Sequence, residues 1–360
     1  NDYFVHMIDA ARPFEQRIES PYFSKIQPPK IDRSAVIPKG RQLGISDELQ
    51  KQWDERKQFF RKHFENESYD YIVIEQYPFG IKYFLRDEVR FLIQLAKESN
   101  KEIPIICSFR GINLDFRCFA PPFLPYLKTL VFMTETFLDE FIDYVLVHTD
   151  EEVLSLDRSF PVTEKLRKKL IYTGYVGDRQ PQNPQVKREK KIVVTAGGGL
   201  WAEKLFMAVL PLHAYFPDYQ WIFILGPQRE KKLQRQLKQA VSDRGVKNVT
   251  ISGFVDDFQQ LLRSSVLSIS NAGYTLLDLY QTETPGLVLA DPSVGDQLFM
   301  LEAFQGIASI IEIKQMDLSP ARLKGILQHV LVGSFPTVRG KANCEGVLNT
   351  KRFFDQLGGK

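Results

Sequence analysis

The run Ser270-Asn271-Ala272-Gly273-Tyr274-Thr275-Leu276-Leu277-Asp278 couples a turn of small residues to a helix with a carboxylate one turn in. Val266 to Ser270 alternates bulky and small residues as a buried strand does. Leu276, Leu277 and Tyr280 return at helical spacing, which predicts a helix over 274–281. A glycine-containing turn that opens a helix aims free backbone N–H groups outward, and the helix dipole adds positive potential there. Gly273, Tyr274 and Thr275 therefore suit a phosphate, and Asp278 suits the hydroxyls of a ribose. After a strand at Gly286 to Ala290, Asp296 and Gln297 bring two side chains suited to sugar hydroxyls. Phosphate, ribose and sugar groups in that order describe a nucleotide-sugar site.

Two more segments fall between strand ends and could line such a site. Thr195-Ala196-Gly197-Gly198-Gly199 follows the strand 192–195, and three glycines admit a close ligand approach. Ser252-Gly253-Phe254-Val255-Asp256-Asp257 follows the strand 249–251, where the backbone near Phe254 and Val255 could meet the edge of a base. Each has a plainer reading: a tight strand-to-helix turn for the glycines, a core-capping Phe254 and a helix-capping Asp256 for the second. Asp278 could equally be a solvated helix residue, and Asp296 the cap of a helix over 298–304. In the first half, Glu75 and Arg110 follow strands and are candidates for an acceptor-side cleft, as are Asp150 and Glu151. The catalytic base is unassigned. Glu75 and His148 are the candidates, with a structural histidine as the alternative for the latter.

The elements that must hold these residues follow from the apolar pattern. From 192 to 290, short apolar strands alternate with amphipathic helices over 205–215, 230–243 and 257–264, the pattern of a doubly wound parallel sheet. The first half also alternates, with strands at 3–8, 71–74, 104–108, 144–148 and 170–175 and helices at 47–64, 84–99 and 124–143. Prolines at 13, 21, 28, 29 and 38 predict an irregular stretch over 12–44. Residues 177–191, with Pro181, Pro184 and no apolar periodicity, read as a linker. The expected layout is an α/β chain of two Rossmann-like domains facing across a cleft, 1–176 on the acceptor side and 192–335 on the donor side. A helix over 346–357, in the segment 336–360, is expected to return to the first domain.

The 360 residues are 44% apolar and 25% charged, an ordinary globular balance that length divides into two domains. A net charge of +3 gives no reason to expect nucleic acid, and the pI near 8.5 admits a peripheral contact with an acidic membrane. The three cysteines are scattered without a CxxC, against both a disulfide framework and a zinc site. With no apolar run near ~20 residues, a cytoplasmic protein is expected. No DxD metal motif is present, so neither metal nor cofactor is expected beyond the sugar nucleotide as co-substrate.

The stretch from Ile192 to Glu312 resembles the carboxyl-terminal domain of family 28 glycosyltransferases, to which the peptidoglycan N-acetylglucosaminyl transferase belongs. The likeness rests on Ala196 to Gly199, Ser252 to Val255, Asn271 to Pro285 and the Asp296-Gln297 pair. It implies a GT-B fold and inverting transfer from a UDP-sugar to an unknown acceptor. It implies pyrophosphate at Gly273 to Thr275, ribose at Asp278 and the donor sugar at Asp296 and Gln297. The family acid is Glu, so Asp278 is a shortened version.

The first half is similar to a poorly characterised group of predicted glycosyltransferases through Glu75 to Gly80, Cys107 to Ile112, Asp143 to Glu151 and Tyr172 to Val176. That group reads Arg-Asp-Ile where this chain has Arg110-Gly111-Ile112, and it opens on a strand and a GxGH-like loop that nothing here matches. The chain is therefore expected to start at the second strand of its first domain, with the acceptor-side base outside it. A nucleotide-sugar epimerase of the same architecture and a non-catalytic nucleotide-sugar-binding protein are the alternatives.

Overall fold

A computed structural model describes residues 3–8, 20–30, 36–39, 42–45, 47–79, 86–112, 124–177, 187–196, 201–226, 231–242, 245–253, 255–291, 294–333, 335–336, 338 and 340–358. The chain divides into two compact units, Asn1–Cys107 with Thr136–Tyr144, and Ser108–Glu135 with Val145–Lys360. Residues 178–186 of the expected linker lie outside the described residues.

In the first unit, β1 (Val5–Ile8) and β2 (Phe23–Ile26) pair in parallel, and β3 (Val36–Lys39) and β4 (Gln42–Ile45) form an antiparallel pair. Three of these four short strands fall in the stretch expected to be irregular. They are isolated two-stranded ladders, and four-residue strands broken by proline carry no periodic signal long enough to read. Helix α1 (Asp47–Asn66) buries Leu49, Trp53, Arg56 and Phe60, spaced to fall on one helical face. Arg56 is tolerable on that face because its guanidinium forks onto Glu88 of α2 (Arg86–Ser99) at 2.7 and 2.6 Å and donates to Pro29 O at 2.5 Å. Strand β5 (Ile72–Glu75) lies beside the start of β6 (Ile105–Phe109), where Ile72 N–H donates to Pro104 O.

Helix α3 (Leu124–Phe141) leads to β7 (Tyr144–Val147). In the second unit the end of β6 runs beside β7, with His148 N–H donating to Phe109 O, and β7 pairs in parallel with β8 (Leu170–Tyr172) after the short α4 (Glu164–Arg167). The rest of this unit is a six-stranded sheet of β9 (Glu189–Thr195), β10 (Gln220–Ile224), β11 (Val249–Ser252), β12 (Ser265–Asn271), β13 (Gly286–Leu289) and β14 (Ile310–Ile313). Its spatial order is β11-β10-β9-β12-β13-β14 and every pairing is parallel. The interleaved helices are α5 (Trp201–Val209), α6 (Lys231–Ser242), α7 (Phe258–Arg263), α8 (Thr275–Thr282), α9 (Gln297–Phe304) and α10 (Pro320–Val332).

The strands read as continuous apolar runs because both faces are covered. Ile192, Val194, Leu267 and Ile269 pack with α5, α6 and α10 residues such as Phe206, Leu237 and Leu327 on one face. Val193 and Val288 pack with Leu262, Leu276 and Phe304 of α7, α8 and α9 on the other. Strand order reverses between β9 and β12, so their carboxyl ends frame the crevice where open α/β sheets take ligands. The segment before α11 (Gly346–Gly358) is bonded to the ends of β7 and β8: Asn343 N–H donates to Asp150, Tyr175 N–H to Asn343 O and Gly346 N–H to Tyr175 O.

Candidate functional site

The crevice at the end of β12 is built from backbone turns and a few enclosed polar side chains. Asn271 is the last residue of β12 and is 3% exposed, yet neither its Nδ2 nor its Oδ1 has a hydrogen-bond partner among the described residues. Ser270 Oγ beside it is also buried and unpartnered there. Buried polar groups are nearly always bonded, and leaving one unmet costs about 1–3 kcal/mol. Gly273 turns the chain into α8, and a Cβ there would meet nothing within 4 Å among the described residues. The fold thus sets no steric demand for glycine, whereas a group resting on the backbone would. Gly273 N–H is spent on Asn271 O at 2.9 Å, and bonding within α8 begins with Leu276 and Leu277 N–H on the carbonyls of Gly273 and Tyr274, so Tyr274 and Thr275 hold the amides of the helix start. Tyr274 occupies the cap position without a side-chain cap bond, and its hydroxyl donates to Arg110 O at 2.9 Å.

Asp278 is not a solvated helix acid. It is half-buried, and burial raises its pKa to about 6 against a bond from Gln259 Nε2 at 3.2 Å. Gln259 also donates to Gln281 Oε1, so Asp278 belongs to an amide network spanning α7 and α8. Asp296 sits at the cap position of α9 without capping it. Burial raises its carboxyl above the usual range, and a bond to its own backbone and the Arg110 guanidinium pull it back. Gln297 is 5% exposed, with Oε1 committed to Asp291 N–H at 2.8 Å. Val255 packs against the α8–α9 side of the core, and Asp257 rather than Asp256 caps α7, accepting from Gln260 N–H at 2.8 Å.

The second unit therefore holds Arg110, His148, Val255, Gly273, Tyr274, Thr275, Asp278, Asp296 and Gln297, while Glu75 ends β5 in the first unit, exposed. Gly197, Gly198, Gly199 and Phe254 lie outside the described residues. Arg110, expected on the acceptor side, is electrostatically linked to Asp296, expected on the donor side. His148 bridges two hydroxyls, Ser108 Oγ on Nε2 at 2.9 Å and Thr173 Oγ1 on Nδ1 at 2.8 Å, and burial lowers its pKa. Asp150 is consumed by the N–H groups of Asn343 and Glu152.

Gly111 has φ +96°, and a Cβ would lie 2.0 Å from Thr149 Cγ2. Backbone geometry thus holds this position to glycine. Sequence reasoning passed over Asn271, read as turn, and the fully buried Asp291. Both had one available signal, a polar residue directly after the apolar run of a strand. Among the described residues no group of three or more His, Cys, Asp or Glu could hold a metal ion, and no helix is long and apolar enough to cross a membrane.

No protein-family model matches the sequence, and no curated protein does. Solved structures do match its fold. A UDP-glucosyltransferase from Polygonum tinctorium, capable of glucosylating indoxyl and in complex with 3,4-dichloroaniline, superposes with a TM-score of 0.57 at 11% identity, over 97% of this chain and 85% of that one. A UDP-N-acetylglucosamine 2-epimerase gives 0.52 at 14% identity, over 95% and 83%. S. aureus MnaA, solved with UDP, gives 0.51 at 14% identity, over 94% and 90%. The chain is a mixed α/β protein with parallel sheets and shares the GT-B fold of two Rossmann-like domains with these structures.

Proposed function

We propose that this chain is a nucleotide-sugar enzyme, and more narrowly a glycosyltransferase that moves a sugar from a UDP-sugar to an acceptor hydroxyl with inversion at the anomeric carbon. The observation that carries the reading is the β12–α8 corner. There, a buried Asn271 with neither polar atom bonded among the described residues, an unobstructed Gly273 and the start of α8 meet at the reversal point of a parallel sheet. The fold shared with a UDP-glucosyltransferase and a UDP-bound protein supports uridine diphosphate as the ligand. The resemblance of 192–312 to family 28 supports inversion.

In this reading the α8 amides and dipole hold the diphosphate and stabilise the charge that develops on it as the glycosidic bond breaks. Asp278, ionised above pH 6, accepts from the ribose hydroxyls. Asp296 and the Gln297 amide nitrogen orient the sugar, and Arg110 favours the charged form of Asp296 against its burial. A second reading, epimerisation, draws on the likeness to a UDP-N-acetylglucosamine 2-epimerase. It predicts a changed sugar nucleotide with no acceptor added, which proton NMR of the mixture would reveal.

The test is calorimetry of the whole chain with UDP. Binding is expected, and it should survive a chelator. Asn271→Leu removes the unmet polar group, so it should raise stability by about 1 kcal/mol while weakening UDP at least tenfold. Absence of binding to any nucleoside diphosphate would end the proposal, and a strict metal requirement would end its metal-free form.

A further inference from the structure

The hydrogen bonds at the carboxyl ends of β6, β7 and β8 have a defined direction. Thr173 Oγ1 lies 3.0 Å from Gly174 O and 3.4 Å from Val147 O, both of which can only accept. The arrangement that makes every one of these contacts a hydrogen bond has the Thr173 hydroxyl donating to a carbonyl and its oxygen accepting from His148 Nδ1 at 2.8 Å. That places the ring proton on Nδ1 and leaves Nε2 a bare acceptor, 2.9 Å from Ser108 Oγ. Ser108 donates to His148, His148 to Thr173, and Thr173 to the backbone. The groups facing the ring from β6 and β8 are these two hydroxyls, and burial holds the imidazole neutral. Ser108 itself is partly open. It stands two residues before Arg110, whose carbonyl takes the Tyr274 hydroxyl at the start of α8 and whose charge acts on Asp296.

We infer that Ser108, His148 and Thr173 form a proton relay that withdraws the acceptor's proton in the transfer reaction proposed above, on which this assignment rests. The acceptor hydroxyl gives its proton to Ser108 Oγ as Ser108 passes its own to His148 Nε2, leaving an imidazolium. The acceptor oxygen bonds to the anomeric carbon as that carbon's bond to the β-phosphate oxygen breaks, and the electron pair leaves with UDP. Thr173 is a positioning residue: it fixes the tautomer that keeps Nε2 free.

Water serves as the acceptor in the test, with UDP-glucose and UDP-N-acetylglucosamine as donors and UDP release as the readout. A positioned acid–base group is worth about 10²–10⁴ in rate, so Ser108→Ala should lower kcat at least tenfold with UDP affinity unchanged by calorimetry. Thr173→Val should lower kcat and Thr173→Ser restore it. The wild-type rate should fall on the acid side as His148 protonates, below its ordinary pKa of 6.5, and Ser108→Ala should lose that limb. A Ser108→Ala chain that binds UDP and keeps the wild-type rate overturns the relay and leaves the donor reading intact. So does a wild-type chain that binds UDP but releases none from either donor. Failure to bind UDP overturns the donor reading. Nitrogen-15 NMR of His148 judges the relay without any donor: a neutral Nδ1–H ring at pH 7.5 is expected, and an Nε2–H ring or an imidazolium overturns it.

Discussion

Two strand mouths in the second unit handle polar groups in opposite ways. At the ends of β6, β7 and β8 the polar side chains answer to one another: His148 to Ser108 and Thr173, Thr149 Oγ1 to Leu154 O, Asp150 to two backbone amides. At the end of β12, Ser270 and Asn271 are buried without partners among the described residues, and Asp278 is held with its pKa raised to about 6. The Ser108–His148–Thr173 chain at the first mouth is met by the protein alone. The second carries, among the described residues, polar groups buried without a partner. Enclosed polar groups differ in meaning according to whether the fold has already met them.

Glycine separates the two mouths most sharply. Gly111→Ala forces a Cβ onto Thr149 at φ +96°, so it should cost about 3 kcal/mol or more, strain and overpacking together. Gly273→Ala adds a methyl group to open space and should move stability by less than about 0.5 kcal/mol while weakening UDP at least tenfold. Denaturant titration and calorimetry read both variants. Equal stability losses would erase the distinction between the mouths.

Asp278 gives the next largest effect, with a definite pH sign. Its folded pKa of about 6 lies above the 3.8 of an ordinary aspartate. The folded state therefore holds the proton more tightly, and the associated stability is present below pH 4 and is lost as pH rises through 6. Asp278→Asn should gain on the order of 3 kcal/mol over the wild type at pH 7 and nothing at pH 3.5, at about 1.4 kcal/mol per unit. The same change should weaken UDP at pH 7, because the ionised acid is the proposed ribose acceptor. A variant that loses stability at pH 7 would show that Asp278 is a structural acid.

Gln297→Ala tests the smallest difference. It strands the Asp291 N–H, now bonded at 2.8 Å, for a stability loss of roughly 1 kcal/mol. UDP affinity should stay within about twofold, while a UDP-sugar binds more weakly because the amide nitrogen is gone. Parallel losses for both ligands would remove Gln297 from the sugar end of the site.

The sequence by itself determined the sheet between 189 and 289 and the ordering of motifs along it. Apolar runs such as Ile192-Val193-Val194 can be stable only when both faces are covered, and helical spacing supplied the covering elements. The expected helix over 274–281 is α8 at 275–282, and the expected strand over 266–270 is β12 at 265–271. The strand Ile310–Ile313 and the short ladders of the first unit escaped that reading, because four-residue strands are too brief to show a period.

Only tertiary structure decided which polar residues were spent. Asp150, Asp278 and His148 look alike in sequence, each a polar residue near the end of an apolar element. Hydrogen-bond partners 19 to 193 residues away distinguish them, since Gln259 lies 19 residues from Asp278, Thr173 25 from His148 and Asn343 193 from Asp150. A linear pattern records periodicity and small-residue turns because these act through neighbours. Satisfaction of a buried group depends on what the fold brings against it, and no spacing along the chain encodes that.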